Sequence, residues 1–209
     1  MNLLFFIFEV MGTIAFAISG AMVAIRHKLD LLGVVVLGLV TATGGGVIRD
    51  VIIGDTPPRV FRDSRYAMLA LCTALLVFII MRSVKRRPIG RFHSVLDKLY
   101  FLSDTLGLAV FTVLGIRSVG GDNGTLLLFV GVITGVGGGV LRDVFCGIVP
   151  SVFREHIYAL ASAAGAISYI LLLRTPLPEM ASMLIGFGLV FIIRCLAAYF
   201  RWDLPKAEK

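Results

Sequence analysis

Charged residues stand inside long apolar segments at two places in this sequence. Arg49-Asp50 and Arg142-Asp143 each follow a run of glycines within a stretch that is otherwise apolar. Ionisable side chains within a membrane span are costly and face the interior of a helix bundle or water, so they are the first candidates for function. The alternative is that both pairs are helix-end charges that lie among lipid headgroups.

Two further acidic residues occupy the apolar segments that come before these pairs. Glu9 and Asp104 lie at about the membrane depth of Arg49 and Arg142, respectively. We therefore predict that Glu9 neutralises Arg49 and that Asp104 neutralises Arg142. This pairing leaves the carboxylates of the two Arg-Asp pairs free to attract cations.

Three consecutive glycines precede each Arg-Asp pair. Glycine inside a helix costs roughly 1 kcal/mol relative to alanine. The runs favour a kink that turns carbonyls and half-helix ends towards a polar path, because a membrane tolerates irregular backbone only in the protein interior or along a cavity. Close packing of helices through small residues is the competing explanation. The residues concerned are Gly44, Gly45 and Gly46, and Gly137, Gly138 and Gly139.

Two threonines lie one turn before the glycine runs. Two arrangements are open to Thr41 and Thr134. Their hydroxyl oxygens could replace part of the hydration shell of an ion in an ion pathway, or their hydroxyls could donate a hydrogen bond to a carbonyl of their own helix. The sequence slightly favours the second arrangement.

No enzyme pattern is present in the sequence. It contains no nucleophile–base arrangement, phosphate-binding loop or metalloprotease motif. Cys72, Cys146 and Cys195 are scattered, without the spacing of a metal site or a disulfide framework. We therefore expect a protein that is not an enzyme and that has no metal and no cofactor, although bound lipid is compatible with it.

The elements that position these residues are membrane-spanning helices. Of the 209 residues, 58% are hydrophobic and 16% are charged, whereas about a quarter are charged in a soluble domain. Apolar runs of about 18 or more residues are typical of membrane spans. Hydropathy predicts an all-α, polytopic membrane protein with seven transmembrane helices, near residues 3–25, 31–53, 66–81, 99–116, 125–146, 157–173 and 180–200.

The basic residues between the spans predict the orientation of the chain. Twelve lysines and arginines lie in the loops and tail on one side, and five lie on the other, namely Arg59, Arg62, Arg65, Arg117 and Arg174. The positive-inside rule places the N-terminus outside and the C-terminus in the cytoplasm. The net charge of +7 thus indicates contact with anionic lipid rather than with nucleic acid. Arg194, inside the last span, is interpreted as an anchor that extends to the cytoplasmic surface.

The sequence contains an internal duplication. Residues 44–51 recur as residues 137–144, and each copy contains three spans. Because three is an odd number, the second copy crosses the membrane in the opposite direction, as in many transporter and channel folds. The prediction is a first three-helix repeat at 1–90, an inverted second repeat at 91–175, and a seventh helix with a cytoplasmic tail at 176–209. Further matches are Glu9 with Asp104 and Tyr66 with Tyr158.

Two GGGxxRD segments, each followed by Gly and Pro, in a chain of three plus three plus one spans resemble the prokaryotic branch of the trimeric intracellular cation (TRIC) channel family. The resemblance implies a homotrimer in the cell inner membrane, with an hourglass pore in each protomer that conducts monovalent cations, chiefly potassium. Its partners are then further copies of the chain, membrane lipids and K+ or Na+. The Lys-Glu-Val segment of the animal channels has no equivalent here, so the resemblance does not extend to lipid-regulated gating. By resemblance, spans 2 and 5 frame the pore, are kinked at their glycine runs, and carry Arg49, Asp50, Arg142 and Asp143 as pore-side candidates.

Sequences of this kind have also been labelled glycine transporters, which defines the alternative. A transporter needs a closed site that holds a carboxylate and an amine, and Arg49 or Arg142 with a nearby aspartate could supply it. A channel needs a continuous wet path with weak sites. A purely structural membrane protein is a third class, but it leaves two symmetrically placed Arg-Asp pairs unexplained. The sequence favours the channel.

Overall fold

Helices form the regular structure in the part of the chain described here. A computed structural model describes residues 3–84, 92–154 and 157–202. The helices are α1 (Leu3–Arg26), α2 (Leu31–Ile52), α3 (Arg59–Arg62), α4 (Arg65–Val84), α5 (Phe92–Arg117), α6 (Gly124–Phe145), α7 (Ser151–Arg154), α8 (Tyr158–Leu172) and α9 (Glu179–Phe200).

Long apolar helices coincide with the predicted spans. Within the described residues, six of them are long and apolar enough to cross a membrane, namely α1, α2, α4, α5, α6 and α9. Large apolar side chains are exposed along these helices, as at Leu76 (57%) and Ile192 (55%). The protein is therefore an all-helical, polytopic membrane protein. The apolar helix α8 has only 15 residues, so its crossing stays a prediction.

Polar caps begin the two helices that carry the glycine runs. The side chain of Asp30 accepts a hydrogen bond from the backbone N–H of Gly33, at 2.8 Å, at the start of α2. Asn123 does the same for Thr125 and Leu126, at 3.1 Å, at the start of α6. Such caps satisfy N–H groups that lack a partner within the helix, so both helices begin at matching positions relative to their glycines.

The helices pack as two groups that meet along four of their members. Helices α1, α2 and α4 pack together, and so do α5, α6 and α8, with α9 against α8 and α5. Contacts between α1 and α5 and between α2 and α6 join the groups. The predicted boundary at residue 90 and most of the tail lie outside the described residues, and the inverted arrangement stays a prediction. This packing brings both glycine runs to the centre of the protein.

Candidate functional site

The central contact between α2 and α6 is made by one glycine from each run. A Cβ atom built on Gly45 would fall against the backbone carbonyl oxygen of Thr134, and one on Gly138 against that of Thr41, closer than real side-chain carbons approach. Helical structure continues without a break through both runs. These contacts are the close packing that the sequence offered as the competing explanation. A bend of the helix axes at the glycines stays a prediction.

The two threonines beside this contact use their hydroxyl hydrogens within their own helices. Thr41 donates to the carbonyl of Leu37 and Thr134 to that of Val130, both at 2.6 Å. Both side chains are fully buried. The second of the two predicted arrangements is therefore confirmed. A role for these residues in an ion pathway stays a prediction.

A buried charge cluster lies beyond the contact, next to the glycine run of α6. Arg142 donates from Nε to Asp143 at 2.8 Å, and from Nη1 to Asp104. Nη1 also donates to the hydroxyl of Ser19, at 2.5 Å, which in turn donates to Asp104 at 3.3 Å. Arg142, Asp104 and Asp143 are at most 1% exposed. The predicted pairing of Asp104 with Arg142 is confirmed.

Helix α9 adds a second arginine to this cluster. Arg194 is 3% exposed, its Nη2 lies 3.9 Å from Oδ2 of Asp104, and its guanidinium lies 4.5 Å from the ring centre of Tyr158. The interpretation of Arg194 as a surface anchor is therefore wrong. Two aspartates and one arginine would leave a buried negative charge, which is costly, and Arg194 balances it. Among the described residues, the hydroxyl of Tyr158 and Nη2 of Arg142 have no hydrogen-bond partner.

The equivalent residues of the first half adopt a different arrangement. Arg49 pairs with Asp50, at 2.8 Å, and Glu9 accepts a hydrogen bond from the hydroxyl of Tyr66. The predicted pairing of Glu9 with Arg49 is wrong. The side chain of Arg49 folds back along its own helix to within 3.7 Å of the position of a Cβ on Gly46, where Asp50 is within reach. It keeps 12% of its side-chain surface exposed.

Neither aspartate of the Arg-Asp pairs is free to attract cations, which corrects that prediction. Asp50 accepts from its own arginine and, through Oδ2, from the backbone N–H of Arg59 at 2.8 Å. Asp143 accepts in the same way from the backbone N–H of Ser151 at 2.6 Å. Both carboxylates are 1% exposed. They therefore anchor the segments that enter the short helices α3 and α7.

A cavity of about 400 Å³ opens beside the first charge pair. Its walls come from α1, α2, α3, α4 and α5, and include Glu9, Gly46, Arg49, Tyr66 and Phe111. In the second half, the equivalent Arg142 and Asp143 are buried in the cluster with Asp104. The two halves thus carry the same motif in an accessible and an inaccessible form.

Two aspartates hold the three arginines at the mouth of this cavity. Asp55 accepts from Arg59, at 3.0 Å, and from Arg62, and Asp63 accepts from Arg65. Hydrogen bonds from these arginines lower the pKa of both carboxyls below the usual 3.8, so both stay charged at neutral pH. Glu9, in the wall of the same cavity, accepts its hydrogen bond from the neutral hydroxyl of Tyr66 and not from an arginine.

The tyrosines and serines of these clusters have no role that the sequence alone predicts. Tyr66 and Tyr158 are found by the duplication itself, which aligns them at an offset of 92 residues. Ser19 and Ser151 carry no such signal, because each meets its partner only through tertiary packing. In the described ranges, no group of three or more His, Cys, Asp or Glu residues could hold a metal ion.

Comparison with known proteins identifies the family. The model of a family described as glycine transporter matches residues 6–82 and 101–174. The UPF0126 inner membrane protein YadS of Escherichia coli K12 is 36% identical over 201 residues, which cover 94% of this chain and 91% of YadS. A UPF0126 membrane protein of Deinococcus radiodurans is 43% identical over 164 residues, 76% of this chain and 71% of the relative. The chain belongs to the UPF0126 family.

This UPF0126 chain also resembles solved TRIC channel structures over nearly its whole length. The TRIC orthologue from Rhodobacter sphaeroides matches with a TM-score of 0.84 and 29% identity, over 95% of this chain and 98% of the orthologue. A chain from a structural study of conductance through TRIC cation channels matches with a TM-score of 0.82 and 34% identity, over 97% of both chains. The predicted resemblance to the TRIC family is confirmed.

Proposed function

We propose that this protein is a potassium-conducting cation channel whose pore lies within each protomer and is framed by α2 and α6. Similarity to TRIC cation channel structures over 97% of the chain carries the proposal. The site agrees with it, because a charged motif stands on each side of the contact between Gly45 and Gly138. The pore then runs from the accessible cavity, past this contact, to the cluster around Arg142.

Glu9 attracts cations into the accessible cavity. Four arginines at the cavity and its mouth face three aspartates, because Arg59 and Arg62 share Asp55. Glu9 supplies the fourth negative charge, without which the cavity would be positive, and it is held by the neutral hydroxyl of Tyr66. A carboxylate in a low-dielectric wall raises the local concentration of cations. Glu9 thereby takes the role that the sequence analysis gave to Asp50.

Conduction requires that the second half becomes accessible as well. In the present arrangement Arg142 and Asp104 are bonded to each other and buried, so neither side chain reaches water. The first half shows what an accessible arrangement looks like. There Arg49 pairs with Asp50 and not with Glu9, the acid of the preceding helix. In the second half, this arrangement corresponds to release of Asp104 by Arg142.

The channel is a homotrimer in the inner membrane and crosses it seven times. Helix α8 is the sixth crossing and α9 the seventh, and the two three-helix groups are inverted repeats. The N-terminus lies outside and the C-terminus lies in the cytoplasm, as the distribution of lysines and arginines indicates.

A transporter of a small amino acid is the second candidate. The observation that favours it is that the carboxylate of Glu9 and the guanidinium of Arg49 line one cavity of about 400 Å³, which offers partners for an amine and a carboxylate. The family description as glycine transporter points the same way. A transporter, however, would move its substrate without a steady ionic current.

Potassium flux through liposomes that contain the purified protein separates the two candidates. We expect fast K+ flux that does not depend on glycine. Replacing Glu9 by glutamine should lower this flux roughly threefold or more at low ionic strength, and less in high salt, because salt screens exposed charges. Asp97→Asn is the matched control, since Asp97 is an exposed acid that pairs with Arg26 away from the cavity. Saturable glycine uptake without K+ conductance would contradict the channel and support the transporter.

A further inference from the structure

A second cavity, of about 560 Å³, lies outside the proposed pore. It lies where α5 and α8 end and where α6 and α9 begin, between the connecting segments 118–123 and 173–178. Charged residues stand at these helix ends, which places the mouth of the cavity at the boundary between membrane and water. We refer to it as the peripheral cavity.

The mouth of the peripheral cavity carries one basic and one acidic group that do not pair with each other. The guanidinium of Arg174 lies over the start of α6, with Nη2 3.6 Å from the position of a Cβ on Gly124. Asp122 is exposed in the segment just before α6. Within the described residues, neither side chain forms an ion pair, whereas Arg117 and Glu179 in the same wall are joined at 2.9 Å.

A buried hydroxyl in the wall of the peripheral cavity lacks a partner. The side chain of Tyr169 is fully buried, and its hydroxyl makes no hydrogen bond with any described residue. The nearest acceptor is the carboxylate of Glu179, which Arg117 holds at 2.9 Å, so at most a weak contact with Glu179 is left for the hydroxyl, short of a regular hydrogen bond. Leaving a buried hydroxyl unsatisfied is unfavourable, so Tyr169 indicates a ligand with a polar acceptor at this depth.

The rest of the wall is apolar. Ile116, Leu127, Ile170 and Leu173 line the peripheral cavity below its charged mouth. A ligand that fits this wall is charged at one end, has an acceptor just below, and is apolar beyond that. A phospholipid has this order of groups along its length: headgroup, ester carbonyls and acyl chains.

We propose that the peripheral cavity binds a phospholipid with a zwitterionic, hydrogen-bond-donating headgroup, namely phosphatidylethanolamine. Its phosphate binds Arg174, its ammonium binds Asp122, and an ester carbonyl accepts from Tyr169. The charges of the cavity complement this headgroup, because two arginines face two acids. Guanidinium is well suited to phosphate, and an ammonium can donate to a carboxylate.

The same contacts predict which lipids bind less well. Phosphatidylglycerol carries a net negative charge and no ammonium, so Asp122 repels it. Phosphatidylcholine has a quaternary ammonium that cannot donate a hydrogen bond to Asp122.

Native mass spectrometry of the purified protein with equal concentrations of the three lipids tests this proposal. We expect phosphatidylethanolamine to be retained at least fivefold more than the other two. Arg174→Gln should lower its retention about tenfold, and Asp122→Asn should remove the preference over phosphatidylglycerol. Arg82→Gln, which removes an exposed arginine at the end of α4, is the control and should change neither.

Melting temperatures show whether a loss of lipid retention in a variant comes from the binding site or from poor folding. Added phosphatidylethanolamine should raise the melting temperature of the wild-type protein but not that of the Arg174→Gln variant, even if the variant is less stable without lipid. Equal retention of all three lipids, or unchanged retention by Arg174→Gln, would overturn the proposal. So would displacement of the lipid by an equal concentration of glycerophosphoethanolamine, since the site would then recognise a soluble headgroup.

Discussion

At the scale of single residues, two glycines allow α2 and α6 to touch at the centre of the protein. Gly45→Ala would place a methyl group against the carbonyl of Thr134, and overpacking of this kind costs about 1–3 kcal/mol. We therefore expect a clearly lower melting temperature for this variant in detergent, with the loss of helix measured by circular dichroism.

The neighbouring glycine provides the control for that experiment. A Cβ on Gly46 has an ordinary contact, at 3.7 Å from Nη2 of Arg49, so Gly46→Ala should leave the free energy of unfolding unchanged or raise it by up to about 1 kcal/mol, the helix preference of alanine over glycine. If both alanine variants have the same melting temperature, the glycine run is not needed for close packing of α2 against α6 at Gly45.

The two arginines of the repeated motif should differ strongly in their effect on stability. Arg142 is fully buried and bonded to Asp104 and Asp143. Removing one partner of a buried ion pair costs about 3–5 kcal/mol, because the other charge stays buried without compensation. Arg142→Gln should therefore destabilise the protein far more than Arg49→Gln, since Arg49 faces a cavity.

A double variant distinguishes lost charge balance from lost packing. Adding Asp104→Asn to Arg142→Gln removes the uncompensated carboxylate, so it should restore part of the melting temperature lost in the single variant. Additive losses in the double variant would contradict this account of the cluster.

Sequence reasoning found the charged residues but only half of their pairings. Asp104 meets Arg142 as predicted, whereas Glu9 meets Tyr66 instead of Arg49. Spacing along a helix gives the depth of a side chain, but two acids at equal depth differ in the neighbours that tertiary packing provides. Arg194 was misjudged for the same reason: its distance from the helix end suggests an anchor, and only the packing of α9 on α5 turns it inward.

At the scale of elements, a buried aspartate connects each glycine-containing helix to the short helix that follows it. Asp50→Ala removes the carboxylate that accepts from the backbone N–H of Arg59. Hydrogen bonds to charged groups contribute about 1.5–3 kcal/mol. We therefore expect amide hydrogen exchange around Arg59 to accelerate by roughly one to two orders of magnitude.

Asp55→Ala is the matched control in the same segment. Asp55 pairs with the side chains of Arg59 and Arg62 at the exposed mouth of the cavity, where ion pairs contribute little. Its pKa is lowered by these arginines, so the contribution is present above the ordinary value of 3.8 and is lost only as the pH falls further. Exchange that accelerates equally in both variants would show that Asp50 does not anchor α3.

The long helices could be predicted from the sequence, and the short ones could not. Apolar length located α2 at 31–53, against Leu31–Ile52 in the structure, and α6 at 125–146, against Gly124–Phe145. Helix α3 has four residues, too few for a periodic pattern. Its position depends on a tertiary bond to Asp50, which no local signal encodes.

At the scale of the whole molecule, one repeated motif exists in two forms. In the first half it lines an accessible cavity, and in the second half it is sealed by residues from outside its own repeat, Ser19 from α1 and Arg194 from α9. Duplication therefore supplies the shared motif, and the packing of other helices against it makes the halves differ. Ions can therefore pass through the proposed pore only if the buried cluster of the second half opens.

The topology of the whole chain depends on whether α8 crosses the membrane. Its 15 residues extend over about 22 Å, less than the roughly 30 Å of a hydrocarbon core. Yet Tyr158, at its start, lies beside Gly139 of α6, and residues after its end share the peripheral cavity with residues just before α6. Helix α8 therefore runs back along most of α6, and we expect it to cross.

Cysteine labelling in intact cells tests this topology. In a background without the native cysteines, Gly120→Cys and Leu177→Cys should both react with a membrane-impermeant maleimide from outside, because the segments before α6 and after α8 then lie on the same face. Trp202→Cys should react only after the membrane is permeabilised, since α9 returns the chain to the cytoplasm. If positions 120 and 177 reacted from opposite sides, α8 would not cross, the second group could not be an inverted copy of the first, and a pore between α2 and α6 would lose its symmetry.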